Sequence, residues 1–144
     1  WANGMGAEVS LLAGTGTLVL DARRGDGPAG ARDYTFPALV TTQRMIDDQP
    51  EVAAAAVRAL VHAQRPLVED PARATAVGRK LFREAEAGLI AELIRRDAPF
   101  YDPAISRASV DALNAFSRDM GILSVDAAYE DVVATQFQAL WNQP

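Results

Sequence analysis

Apolar residues recur every three or four positions through most of the chain after residue 43, which is the spacing of one face of an α-helix. Proline suits the first turn of a helix but interrupts its interior, so Pro50 is expected to begin the first helix and Pro66 to kink or end it. The apolar stripe of this helix consists of Val52, Ala56, Ala59, Leu60 and Ala63. The pattern predicts a helical array over residues 43–144.

Two more helices of this array are predicted from spacing and capping residues. Asp70 is expected to cap a second helix, with Pro71 at its first position, that runs to Leu81. A third carries its own apolar stripe and ends at Arg95 and Arg96, because cations suit the carboxyl end of a helix.

The last part of the chain predicts a fourth and a fifth helix. The fourth is expected to start at Asp102-Pro103 or at Ser106 and to stop at Gly121, which tolerates the left-handed conformation of a helix end. The fifth is predicted from Tyr129 to Leu140, with Trp141 sealing it onto the array.

The residues before this array predict strands as well as a helix. Met5 to Ala13 has helical spacing, and Gly14-Thr15-Gly16 suits a helix end. Thr17 to Leu20 is β-branched and aliphatic, which predicts a buried strand. Tyr34 to Thr42 is also rich in strand formers, but Pro37 lacks the N–H that a ladder needs, so an edge, bulged or crossing strand is expected. The predicted fold class is α/β, with few strands and a mostly helical second half.

Composition and charge narrow the class of protein. Hydrophobic residues make up 49% of the 144 and charged residues 23%, which is typical of a globular domain that buries one core. The formal charge of −5 provides no basic stripe for phosphates, so no nucleic-acid partner is expected. The absence of cysteine excludes disulfides and zinc–thiolate sites. Apolar runs such as Ser10 to Leu20 are too interrupted to cross a bilayer.

The candidates for catalysis all have simpler structural interpretations. His62 is the sole histidine and lies in a predicted helix without a second ligand at metal spacing. The glycines of residues 14–16 and 25–30 lack the order of a phosphate-binding loop and suit turns. The paired carboxylates Asp47-Asp48 fall at a polar helix edge. The sequence therefore predicts no catalytic residue, metal site or cofactor, and the chain is not expected to be an enzyme.

The amino-terminal residues are the strongest candidates for ligand contact. Trp1 and Asn3 precede a helix start that is flanked by glycines, where free backbone N–H groups favour an anionic or polar group. Tyr34, at the start of the predicted crossing strand, either walls a cleft or packs the joint between two bodies. The candidate ligand-binding residues are Trp1, Asn3, Gly4 and Tyr34.

Several segments, in this order along the chain, carry a resemblance to a known family. They are WANGMGAE at 1–8, RGDGP at 24–28, YTFPALVTT at 34–42, PEV at 50–52, FYDP at 100–103 and YEDVVATQF at 129–137. Together they resemble the solute-binding proteins of the nitrate, sulfonate and taurine type that serve ABC importers. Relatives of the thiamine-pyrimidine precursor synthase belong to the same superfamily.

The resemblance implies a periplasmic-binding-protein-like type II fold, of which this chain would be the carboxy-terminal portion. Residues 1–33 would finish the second lobe, residues 34–42 would form the crossing strand, and residues 43–144 would be the helical part of the first lobe. A small-molecule ligand would bind between the lobes and pass to an ABC permease. The implied location is periplasmic and peripheral to the membrane, with the signal segment outside this chain.

Two alternatives from other classes stay open. One is an enzyme of the thiamine-pyrimidine precursor synthase kind, which needs a reactive histidine and cofactor contacts. The other is a helical interaction domain, which predicts a large exposed apolar patch on the array of residues 50–141. A small molecule bound between two lobes would instead favour the solute-binding protein.

Overall fold

The computed structural model describes residues 4–22, 25–27 and 37–142. These residues form helices joined by turns and irregular segments. The α-helices are α1 (Gly4–Leu12), α2 (Gln43–Asp48), α3 (Pro50–Glu69), α4 (Ala72–Gly78), α5 (Glu84–Asp97), α6 (Arg107–Asp119) and α7 (Tyr129–Val132), and 3-10 helices lie at Ala98–Phe100 and Thr135–Leu140. No β-strand is present in the ranges that the structure describes.

The predicted α/β fold class is therefore wrong for these ranges, since a periplasmic-binding-protein-like type II fold requires a sheet. Residues 17–20, predicted as a buried strand, are irregular, and Val19 is 93% exposed. Residues 37–42, the described part of the predicted crossing strand, are also irregular, and Val40 is 83% exposed. β-Branched residues favour a strand only where a neighbouring strand completes the ladder. The described ranges supply no such neighbour.

The first four helices predicted after residue 49 are confirmed, with shifted ends. α3 begins at Pro50 as predicted, but Pro66 does not end it. The helix continues to Glu69, and the backbone N–H of Asp70 donates to the carbonyl of Pro66 at 2.9 Å. The proline thus removes its own N–H from the ladder without stopping the next turn.

Side-chain caps set where α2 and α6 begin. The Thr42 hydroxyl accepts from the backbone N–H of Met45 at 3.2 Å, and the Ser106 hydroxyl accepts from that of Ser109 at 3.0 Å. Gly121 has a φ of 69°, the left-handed conformation expected after α6. Of the two starts considered for this helix, Ser106 is the one used.

The predicted second and last helices are both shorter than expected. Asp70 accepts from the backbone N–H of Ala72 at 3.2 Å, but α4 ends at Gly78, before Leu81. The helix predicted from residue 129 is broken, because Val133 is extended, with φ −117° and ψ 122°. A short α7 and a separate 3-10 helix take its place.

Contacts divide the chain into two compact units. The first unit comprises the described residues among 1–24 together with His62–Tyr101. In it, α5 packs against both α4 and α1, and the buried residues on the helix faces are Gly78, Ala87, Ala91 and Ile94. The division into lobes implied by the resemblance stays a prediction.

The second unit comprises the described residues among 25–61 together with those among 102–144. Its core cluster joins α6 to α7 and the segment after it, and consists of Val110, Tyr129 and Val133. Ile105 and Trp141 pack against this cluster, so the sealing role predicted for Trp141 is confirmed.

Gly78 and Gly88 provide a matched pair for testing how closely α4 and α5 pack. A Cβ at buried Gly78 would overlap Cδ1 of Ile90 on α5, whereas a Cβ at exposed Gly88 meets nothing within 4 Å. Cδ1 is the flexible end of the Ile90 side chain, which can move aside at a small cost. We therefore expect this displacement to offset most of the gain in helix propensity for Gly78→Ala, whereas Gly88→Ala should raise the free energy of unfolding by the full amount of about 0.5–1 kcal/mol. Urea denaturation measures both variants, and equal gains would contradict the close packing at Gly78.

Candidate functional site

The structure leaves the predicted ligand-contact residues largely untested. Trp1, Asn3 and Tyr34 lie outside the described residues. Gly4 is the first residue of α1, one position before the predicted start at Met5. The ligand-binding roles of these four residues stay a prediction.

A buried ionic cluster lies in the first unit. In it, Arg96 of α5 pairs with two carboxylates, those of Glu8 in α1 and of Asp21. Nη1 of Arg96 lies 2.5 Å from Oε1 of Glu8, and its Nη2 lies 3.7 Å from Oδ2 of Asp21. The side chains of Glu8 and Asp21 are only 6% and 7% exposed, and that of Arg96 is 16% exposed. Charged side chains are rarely buried to this degree unless they are paired.

The inward face of α1 differs from the one predicted. Val9 and Leu12 are among the apolar residues that give this segment its helical spacing, yet both are exposed. Glu8 is buried, with Met5 three positions before it and Leu11 three positions after it, both partly buried. Pairing with Arg96 lets a carboxylate occupy the inward position, because an opposite charge offsets part of the cost of desolvation.

The two neighbouring arginines at the end of α5 have different surroundings. Both were predicted only as cations that suit a helix carboxyl end. Arg95 forms an exposed pair with Glu92, 3.1 Å away, whereas the side chain of Arg96 belongs to the ionic cluster. Helical position alone does not separate two adjacent arginines, so only the buried carboxylates of α1 and residue 21 identify Arg96.

The contact between Glu8 and Arg96 is a close charge contact and not an aligned hydrogen bond. Oε1 of Glu8 and Nη2 of Arg96 have no hydrogen-bond partner of suitable geometry, although the short distance between Nη1 and Oε1 marks a close charge contact. Attraction between opposite charges is less directional than a hydrogen bond, so the contact stabilises the pair even where the alignment is poor. Two carboxylates face one guanidinium, which makes Arg96 the residue on which the cluster depends.

The ionic cluster has a structural role, in which it connects separate segments of the first unit. Within the described ranges, no group of three or more His, Cys, Asp and Glu side chains is placed to hold a metal ion. Here a guanidinium already faces both carboxylates. The cluster thus links α1 and the segment ending at Asp21 to the last turn of α5.

A second polar group, the Arg107 clasp, joins the start of α6 to α7 in the second unit. Arg107 hydrogen-bonds the carboxylate of Glu130, and its Cζ lies 4.4 Å from the centroid of the Tyr129 ring. The Tyr129 hydroxyl donates to the carbonyl of Ile105 at 2.5 Å. The side-chain hydrogen bond from Arg107 lowers the pKa of Glu130, and the same bond raises the pKa of Arg107.

Asn114 fastens the turn after α6 to the helix itself. Its Nδ2 donates to the carbonyl of Ala127 at 2.9 Å, and the N–H of Ala127 donates to its Oδ1 at 3.1 Å. The side chain is buried, four positions after buried Val110. That spacing is the one signal that would have marked Asn114 in the sequence, because an asparagine on the inward face of a helix needs polar partners.

The two aromatic side chains of the loop at residues 100–103 differ in their exposure. Phe100 is exposed, while Tyr101 is half-buried. Burial, and then the nearby charge of Asp97, raises the pKa of Tyr101. The shift moves the pKa of the hydroxyl further above neutral pH, which is the direction that burial gives to any phenol.

In comparisons with known proteins, no family model, curated protein or solved structure matches the chain. None of the helices in the described ranges is both long enough and apolar enough to cross a membrane. The geometry of the described side chains is therefore the basis on which a function is proposed, together with the resemblance of the sequence.

Arg95 and Arg96 allow the ionic cluster to be tested with a neighbouring control. Arg96→Met leaves Glu8 and Asp21 buried without their cation, so we expect a loss of about 3 kcal/mol in the free energy of unfolding. Arg95→Met removes only an exposed pair and should change it by less than about 1 kcal/mol. Urea denaturation compares the two variants. Losses of the same size would show that the ionic cluster does not hold the first unit.

The Arg107 clasp predicts a particular pH dependence. Because the pKa of Glu130 is lowered in the folded chain, its contribution to stability is present above the unfolded pKa and is lost as the pH falls through the folded one. Carboxyl-carbon NMR should find Glu130 titrating below the ordinary range for glutamate, and Arg107→Gln should return it toward that range. Arg118→Gln, which breaks the separate pair with Asp126, is the control and should leave Glu130 unchanged.

Proposed function

We propose that the chain is part of a solute-binding component of an ABC importer, which captures a small organic solute and delivers it to a membrane permease. The proposal rests on the ordered segments that resemble this class of protein. The observation that supports it best is the anchoring of α1, the helix that begins directly after Trp1-Ala2-Asn3.

The amino end of α1 has the electrostatics that an anionic solute group needs. The first N–H groups of a helix have no partner within it, and the helix dipole makes this end positive. The first turn of α1 contains no acidic residue. The single acid of the helix, Glu8, is engaged by Arg96 and so does not cancel that positive end. A sulfonate or carboxylate is therefore the chemistry that fits best.

The ionic cluster also holds the positive amino end of α1 in a fixed position. Glu8 lies about one turn from Gly4, and its contact with Arg96 binds α1 to α5. A helix end held in place loses little conformational freedom when a ligand binds, which favours affinity. In this proposal the protein acts in the periplasm, at the membrane surface and without a cofactor.

A helical interaction domain is the second candidate, and a specific observation favours it. Large apolar side chains are exposed in both units, and a surface for protein contact would require such side chains to form one continuous patch. In the second unit they include three neighbours along the chain after α6, namely Met120, Ile122 and Val125. No comparable observation in the described ranges favours the enzyme alternative.

A thermal-shift screen separates the two candidates. The panel contains sulfonates, carboxylates and pyrimidines, tested on this chain and on a version extended at its amino end. A solute present at 100 times its dissociation constant should add about 2.7 kcal/mol to the stability of the folded state. Asn3→Ala should reduce the shift, while Asn142→Ala, at an exposed asparagine near the other end, should not.

The other outcome of the screen is equally informative. No shift with any compound in either version, together with concentration-dependent association in sedimentation, would overturn solute binding and favour the interaction domain. A shift that Asn3→Ala leaves unchanged would retain solute binding but remove the amino end of α1 from the site.

A further inference from the structure

One rung of the hydrogen-bond ladder of α3 is missing in the interior of the helix. Proline has no N–H, so Pro66 donates nothing to the carbonyl of His62, and its ring crowds that carbonyl. The helix nevertheless continues to Glu69, and the N–H of Asp70 bonds to the carbonyl of Pro66. The interruption therefore lies within a continuous helix and not at its end.

Burial is distributed unevenly along α3. Its buried residues are Ala53 and Ala54, both in its first turns. From residue 55 to Glu69 every side chain is partly or fully exposed, and Leu60 and Val68 are among the exposed apolar ones. Tertiary packing supplies most of the stability of a helix in a protein, so the second half of α3 has less protection against local opening.

We propose that residues 62–66 form a joint in α3, at which the helix bends and opens while residues 50–61 stay helical. Bending is easiest where a hydrogen bond is already absent, and sharp kinks in helices are found at proline for this reason. The inference does not depend on solute binding and holds equally for an interaction domain.

Distance measurements between spin labels test the joint. The chain has no cysteine, so two introduced cysteines are labelled uniquely. Ala56→Cys with Glu69→Cys spans the joint at exposed positions, over about 20 Å of helix. Ala108→Cys with Asp119→Cys spans about 17 Å of α6 at exposed positions and is the control, because α6 contains no proline.

We expect the α3 pair to give a distance distribution about twice as broad as the α6 pair. Pro66→Ala should narrow the α3 distribution to the width of the control, since it restores the missing donor without loss of helix propensity. A width that Pro66→Ala does not change would overturn the joint, as would an α3 pair that is as narrow as the control from the start.

Amide hydrogen exchange provides a second measurement without labels. The N–H groups of Leu67 and Val68 should exchange about tenfold faster than those of Val57 and Arg58, because opening at the joint exposes the last turn. Pro66→Ala should slow the exchange of Leu67 and Val68 by about tenfold and leave that of Val57 and Arg58 unchanged. Equal protection on both sides of residue 62 in the unaltered chain would contradict the proposal.

Discussion

The first unit depends most on the pairing of the Arg96 guanidinium with two buried carboxylates. This pairing joins three separate parts of the chain, which are α1 through Glu8, the segment that ends at Asp21, and α5 itself. A buried charge is costly without a partner of opposite charge and acceptable with one. Glu8 and Asp21 can therefore be buried only while Arg96 lies beside them. The position of α1, and with it the proposed solute site, follows from this pairing.

Polar side chains have an analogous role in the second unit. The amide of Asn114 holds the turn at Ala127, and Tyr129 reaches from the core to the carbonyl of Ile105. These directional contacts matter more because the apolar cores are small. In the ranges that the structure describes, half of the buried apolar residues are alanines, namely Ala53, Ala54, Ala87 and Ala91. Alanine buries little area, so each satisfied polar contact accounts for a larger share of the net stability.

Helices and strands differed in how well the sequence predicted them. The helix α3 forms where its apolar spacing predicts, but it buries Ala53 and Ala54, and all five residues of the predicted stripe are exposed. The Ser106 cap of α6 and the stop at Gly121 are local signals that the structure confirms. Residues 17–20 have the composition of a strand, but a strand requires hydrogen bonds from a neighbour. No local pattern states whether that neighbour exists, which is why the predicted α/β class is wrong for the described ranges.

By itself, the sequence determined the helical array, the caps that bound it and the absence of cysteine chemistry, because spacing, capping and composition act within a few residues of one another. Only the tertiary structure decided that Glu8 faces inward and that Arg96, and not Arg95, meets it. The physical reason is that a buried charge is stable only beside its partner. That partner lies in a different part of the chain, far beyond the range of local periodicity.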